Sequence, residues 1–317
     1  MRDLVRTLVE VFAGLRRSFG LAEQHLEFVI AEDVADAVRS FAGQTIGTED
    51  LTDFGLERIG GVVAGKTMYR DDAHESAIVV VDAGLFRADV PNARVGEVLV
   101  ASHELAHTLI GQLRSAGGPP MEPTDRPWLV TCWFARFAFE EYWADVLADL
   151  VVSRVGSVSV DGGELRPLAA TDFLVCAEDF LAAAVEAFDG LVATIHRYRL
   201  GALTLGDMWG TVQACTSALL ITLAHVMAEV INRPDYDRPS LPEPLERLWS
   251  AGAECFGVQL GDGPADFYQR EQEVIGEVGE AVLELWKHIG LTFRDAGDDF
   301  YIAVAGPDAC WPALLPD

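Results

Sequence analysis

At 317 residues and 34.4 kDa, with 50% hydrophobic and 23% charged residues, the chain can bury a large core and is neither a disordered tail nor a disulfide-stapled miniprotein. Its formal net charge of −27 is spread over two acidic halves, which repel phosphate and exclude nucleic acid as an expected partner. Five cysteines, Cys132, Cys176, Cys215, Cys255 and Cys310, lie far apart with no C-x-x-C pair, the pattern of reduced thiols in a cytoplasmic protein.

From Met1 to Gly20, apolar residues alternate with Arg2, Asp3, Arg6, Glu10, Arg16 and Arg17, so the continuous apolar core of a secretory leader is missing. Leu4, Val5, Leu8, Val11, Phe12 and Leu15 instead predict an amphipathic helix over 2–17, and a second helix is expected over 21–41. The stretch 54–70 has β character with Gly-rich turns, and Ala77 to Asp82, Ala-Ile-Val-Val-Val-Asp, reads as a buried strand. It is the one strong sheet signal in the first half. Pro91 and Asn92 offer a start for a helix of about twenty residues, on which Val95, Val98, Leu99, Leu105, Leu109 and Leu113 recur at helical spacing. Gly and Pro between 115 and 127 end it, and a second long helix is expected over 127–155.

A turn-rich piece, 156–167, divides the chain into a core, residues 1–155, and a mainly helical C-terminal subdomain, residues 156–317. Helices are expected near 171–199, 204–232, 241–257 and 265–288, with a strand-like end over 291–305. Met208 to Ala228 contains no Lys, Arg, Asp or Glu and approaches the length of about 20 residues that a bilayer core requires. Gln213, Thr211, Thr216, Ser217, Thr222 and His225 interrupt it, and Lys/Arg-rich flanks are missing, so it is read as a buried helix and no membrane association is expected. The fold class is α+β and mostly α.

Within the first long helix stands His103-Glu104-Leu105-Ala106-His107. Two histidines four apart project from one helix face and can share one metal ion, with Glu104 beside them as a candidate base. No cysteine lies near, and a histidine pair with an adjacent acid suits an open, water-bearing site better than a closed structural one. The metzincin extension is excluded, since it needs Gly and His where this chain has Ile110 and Leu113, and Gly111 is one residue out of place.

The second long helix carries Phe139-Glu140-Glu141-Tyr142-Trp143-Ala144-Asp145. Glu141 and Asp145 fall on one face. The same spacing recurs at Glu32 and Asp36 and at Glu49 and Asp53, where an acidic surface explains it. What selects Glu141 is its setting among Trp133, Phe134, Phe137, Phe139, Tyr142, Trp143, Val146, Leu147 and Leu150, because a carboxylate buried among such residues needs a compensating partner. A metal supplies one, with Asp145 placed to accept a hydrogen bond from a ligating histidine. Glu140 is the nearest competing ligand.

H-E-x-x-H at 103–107 followed by E-x-x-A-D at 141–145, with a strand ahead of the motif helix, resembles the gluzincin metallopeptidases. The second motif is similar to that of CAAX-prenyl-endopeptidase and HtpX-like enzymes, and the compact layout to ImmA/IrrE-like peptidases. The resemblance spans roughly residues 76–150. It implies a zincin-like core, a small sheet with an H-E-x-x-H helix and a Glu-bearing helix. It also implies Zn²⁺ held by His103, His107 and Glu141, with Glu104 as the catalytic base and then acid in hydrolysis of a peptide or protein substrate. The spanning helices of HtpX-like members have no counterpart here.

His196, Tyr198, His225 and His74 are candidates to stabilise the oxyanion, and none enters the catalytic set. The strand 77–83 is considered as an edge for an extended substrate, although its unbroken Ile78-Val79-Val80-Val81 fits a strand covered on both faces. Two other functions stay open. One is a metal-binding scaffold that has lost turnover and binds a protein partner. The other is a zinc hydrolase of a non-peptide amide.

Overall fold

A computed structural model of the chain describes residues 2–41, 44–45, 57–58, 61–62, 64–86, 93–119, 127–155, 157–159, 165–167, 177–231, 240–256, 263–295 and 300–305. Pro91 and Asn92, the expected start of the first long helix, lie outside them, as do Cys176 and Cys310. The described residues form an α+β fold that is mostly helical.

Helix α1 (Arg2–Ser18) follows the predicted amphipathic pattern and buries Leu8 and Phe12 completely. The helix expected over 21–41 is not continuous. His25–Ala31 forms strand β1, and only Val34–Phe41 forms a helix, α2. Two local features explain the difference. Phe28, Val29 and Ile30 favour an extended chain, and Asp33 caps α2 by accepting a hydrogen bond from the Asp36 amide at 2.9 Å.

Past two short paired strands, β2 (Glu57–Arg58) and β3 (Gly61–Val62), come β4 (Gly65–Tyr69) and the predicted strand β5 (Ser76–Asp82). β5 is the centre of a three-stranded sheet in the order β1-β5-β4. It runs parallel to β1, His25 opposite Ser76 through Ala31 opposite Asp82, and antiparallel to β4, Gly65 opposite Val81 through Tyr69 opposite Ala77. With both edges occupied, β5 cannot take up a substrate strand, which overturns that expectation for 77–83. Its apolar run is instead that of a strand covered on both faces. Ile78 and Val80 join Met68, Val34 and Val38 in a cluster beneath α2. Ala77, Val79 and Val81 are fully buried on the opposite face, where α3 (Ala93–Gly117) packs against β4 and β5 and is flanked by α1.

A second long helix, α4 (Pro127–Val155), matches its predicted span. Within the turn-rich piece after it, β6 (Ser157–Ser159) pairs antiparallel with β7 (Leu165–Pro167). Four further helices follow, α5 (Ala177–Arg199), α6 (Leu205–Ile231), α7 (Glu243–Phe256) and α8 (Pro264–His288), and then an antiparallel hairpin, β8 (Leu291–Asp295) with β9 (Phe300–Val304).

The chain divides into two compact units, each assembled from several segments, whereas the sequence reading divided it once, at 155/156. The first unit takes Met1–Pro120, Glu140–Ala177 and Gln259–Arg270. It contains the sheet, α1 to α3, the C-terminal half of α4 and the start of α8, where the Tyr268 hydroxyl donates to the Pro119 carbonyl at 3.1 Å. The second unit takes Met121–Phe139, Glu178–Val258 and Glu271–Asp317. Its core gathers Leu181, Phe188 and Leu191 of α5, Val212, Leu219 and Leu223 of α6, Leu248 of α7 and Val278 and Trp286 of α8. The Trp286 indole donates to Thr216 at 2.9 Å, and Trp209, Phe293 and Phe134 surround its ring. Helix α6 contains the apolar stretch noted in the sequence. It is long and apolar enough to cross a membrane, and 67% of its most apolar window is buried in the protein.

Candidate metal centre

From Ala101 to Arg114, α3 is buried everywhere except at His103. It is a core helix whose polar side chains must therefore find partners inside the protein. His103 and His107 point their Nε2 atoms at each other, 3.0 Å apart, with the rings edge to face. Helix α4 brings Glu141 to the same point, its Oε2 lying 3.2 Å from His103 Nε2 and 3.8 Å from His107 Nε2.

The ring nitrogens on the far side are held by two other acids. His103 Nδ1 lies 2.7 Å from Asp145 and His107 Nδ1 lies 3.0 Å from Glu140. A carboxylate can only accept, so each Nδ1 carries a hydrogen and the Nε2 atoms are the ones turned toward the shared point. Two imidazole Nε2 atoms and a carboxylate oxygen thus face one another across 3.0, 3.2 and 3.8 Å, an arrangement that needs a proton or a metal cation among them. Ligands about 2.0–2.1 Å from a tetrahedral zinc stand about 3.3 Å apart. Spacing and donor chemistry both fit that ion.

The electrostatics point the same way. Burial alone would push the His103 imidazole down, but the Asp145 and Glu141 carboxylates outweigh it and hold the group well above its ordinary value. The position calls for positive charge.

His103, Glu104 and His107 also form a group of ligand-type atoms within 4.8 Å of one another, so Glu104 and Glu141 are rival acids for one ion. Geometry separates them. Glu141 Oε2 lies 3.2 and 3.8 Å from the two Nε2 atoms, while Glu104 is held from the sheet by the Thr67 hydroxyl, which is 2.8 Å from both its Oε2 and its backbone oxygen. Gly65, two residues earlier on β4, makes room for this. A Cβ there would stand 2.6 Å from Glu104 Cγ and 2.8 Å from Oε1. Glu140, the other competing acid, faces Nδ1 of His107, and its second oxygen accepts from Arg114 at 2.8 Å. Burial would raise the Glu140 carboxyl, but Arg114 and His107 together hold it below its ordinary range.

Further side chains fix the motif helix. The Tyr69 hydroxyl donates to the His107 carbonyl at 2.6 Å, and burial pushes its phenol well above the usual value. Gly111 lies under that ring, where a Cβ would come within 2.6 Å of Tyr69 Cζ. Arg16 of α1, buried and lowered by that burial to about 10, donates to Gln112 at 2.9 Å and also to Thr108 and Gln24.

The structure brings His103, Glu104, His107, Glu141 and Asp145 together in the first unit. Of the oxyanion candidates only His74 belongs to that unit, where it stacks on Tyr69 with ring centroids 3.9 Å apart. His196, Tyr198 and His225 belong to the second unit. There His225 stacks on Phe180 and His196 is exposed.

Sequence reasoning missed Arg114, Thr67 and Gly65. Arg114 had a signal, since it stands two turns beyond His107 as a cation in the otherwise apolar second half of its helix. Thr67 and Gly65 had none, because their partner lies across a long-range contact. No protein-family model, curated protein or solved structure matches the chain.

Proposed function

We propose that the chain is a zinc-dependent peptidase of the gluzincin kind, with a zincin-like core made of the β1-β5-β4 sheet, α3 and the C-terminal half of α4. One observation carries the reading: Nε2 of His103, Nε2 of His107 and Oε2 of Glu141 converge from two helices at the separations that one tetrahedral ion requires. In this reading these three residues hold Zn²⁺, and Asp145 and Glu140 orient the imidazoles. Zinc in that position supplies Lewis acidity, lowering the pKa of a water from about 15.7 toward about 7 and polarising a carbonyl.

The remaining chemistry belongs to Glu104. Its carboxylate, set by Thr67 beside the histidine pair, takes a proton from the attacking water and returns it to the departing amine, acting first as base and then as acid. A stabilising metal site has no use for such a group, which favours an enzyme over a scaffold. Peptide or protein substrates and a cytoplasmic setting complete the proposal. Cys132, Cys215 and Cys255 are free thiols, in keeping with a reducing compartment.

The test is Glu104→Gln. Zinc content should stay at one ion per chain while hydrolysis in a broad peptide screen falls by about 10²–10⁴. If the zinc-loaded wild type cleaves no peptide and the substitution changes nothing, the catalytic reading fails and the scaffold takes its place. Cleavage of simple amides with no peptide turnover would point to the non-peptide hydrolase.

A further inference from the structure

We infer that Glu140 and Arg114 form a positioning pair that aims His107 at the metal, an inference that rests on the ligand set proposed above. Glu140 stands next to Glu141 on α4 yet uses its two oxygens differently. Oε1 takes His107 Nδ1 at 3.0 Å, and Oε2 takes Arg114 Nη1 at 2.8 Å. The side chains of Glu140 and Arg114 are 18% and 8% exposed. A guanidinium stays charged at any working pH, so Glu140 remains a carboxylate with one oxygen anchored and the other able only to accept. That fixes the hydrogen of His107 on Nδ1 and its lone pair on Nε2, the atom facing His103 and Glu141.

The two histidines are therefore supported differently. His103 leans on Asp145, one helical turn beyond Glu141. His107 leans on an acid tied back to its own helix, because Arg114 lies two turns further along α3. The loop His107–Glu140–Arg114 closes between α3 and α4, so it fixes the ring and also the distance between the helix bearing two ligands and the helix bearing the third. Glu140 can serve as a ligand only by giving up both of these contacts.

The experiment measures zinc affinity by chelator competition on the full chain. Glu140→Ala should bind zinc about 10–100-fold more weakly, the usual cost of losing a histidine's outer partner, while Glu141→Ala loses the site. Glu140→Gln combined with Arg114→Met restores a neutral acceptor for Nδ1 and should recover most of the lost affinity, which a role confined to packing would not do. Unchanged affinity in Glu140→Ala overturns the inference. So does loss of zinc in Glu140→Ala with retention in Glu141→Ala, which would make Glu140 the ligand.

A second measurement needs no variant. In zinc-loaded wild type, ¹⁵N NMR should show His107 protonated at Nδ1 and coordinated through Nε2, and the opposite tautomer overturns the inference even if the variants do not fold. Failure of the proposed function gives a different result, with wild-type zinc binding insensitive to His103→Ala and Glu141→Ala together.

Discussion

Replacing Gly65 with alanine tests the proposed general base, Glu104, without touching a proposed metal ligand. The new Cβ would lie 2.6, 2.8 and 2.9 Å from Cγ, Oε1 and Cδ of Glu104, where carbon atoms normally settle at about 3.5–4.0 Å. About 1 Å of movement is needed. β4 cannot easily supply it, because Gly65 is paired with Val81 of the central strand, and neither can α3, which is buried around Glu104. The Glu104 side chain must swing instead and loses its Thr67 hydrogen bond. A misplacement of about 1 Å costs about 10²-fold in rate, equivalent to about 2.7 kcal/mol of transition-state stabilisation. Overpacking should also lower folding stability by about 1–3 kcal/mol. Steady-state kinetics on a peptide found by screening, with zinc content and urea unfolding measured on the same preparation, would show kcat reduced and zinc retained. A Gly65→Ala protein with wild-type kcat, or one whose activity falls only in proportion to lost zinc, would refute the placement of Glu104.

Other consequences follow from the buried charges and thiols. Arg114→Met leaves the Glu140 carboxylate inside the protein without its guanidinium and should cost about 3–5 kcal/mol by urea unfolding. The same variant has a pH signature. Glu140 is held below its ordinary range in the folded protein, so its contribution to stability is present above the unfolded value of about 4.3 and is lost as pH falls toward the folded one. Without Arg114 the acid-unfolding midpoint should move to higher pH, as followed by circular dichroism. Burial pushes the Cys132 thiol up to about 12, so alkylation of native protein at pH 8 should leave Cys132 unmodified until denaturant is added, and rapid native labelling detected by peptide mass would contradict its burial.

Much of the site was legible because helices advertise themselves locally. The apolar periodicity of α3 and α4 set their spans, and the four-residue spacings His103–His107 and Glu141–Asp145 set which faces carry the proposed ligands. Elements defined by distant partners were not legible. Phe28-Val29-Ile30 is too short a run to separate strand from buried helix, and only the pairing of β1 with β5 decides the matter. The side chain that holds Glu104, Thr67, comes from β4, 37 residues away, and no local pattern announces it or the space that Gly65 leaves. The same limit applies to the compact units. Turn-rich residues mark where a chain can break, but α4 passes from one unit into the other without interruption, and only the packed structure reveals that Phe139 and Glu140 belong to different units. Glu140 stands out in the sequence as a competing acid, but its contact with Arg114 is one that no spacing within α4 could indicate.

A crystal of zinc-loaded protein, measured on both sides of the zinc absorption edge, would decide whether residues of α3 and α4 share one ion. A single anomalous peak is predicted, with His103 Nε2, His107 Nε2 and a Glu141 carboxylate oxygen each about 2.0–2.2 Å from it. A zinc bound elsewhere, or bound by the two histidines with Glu141 turned away and Glu104 or Glu140 in its place, would contradict the account.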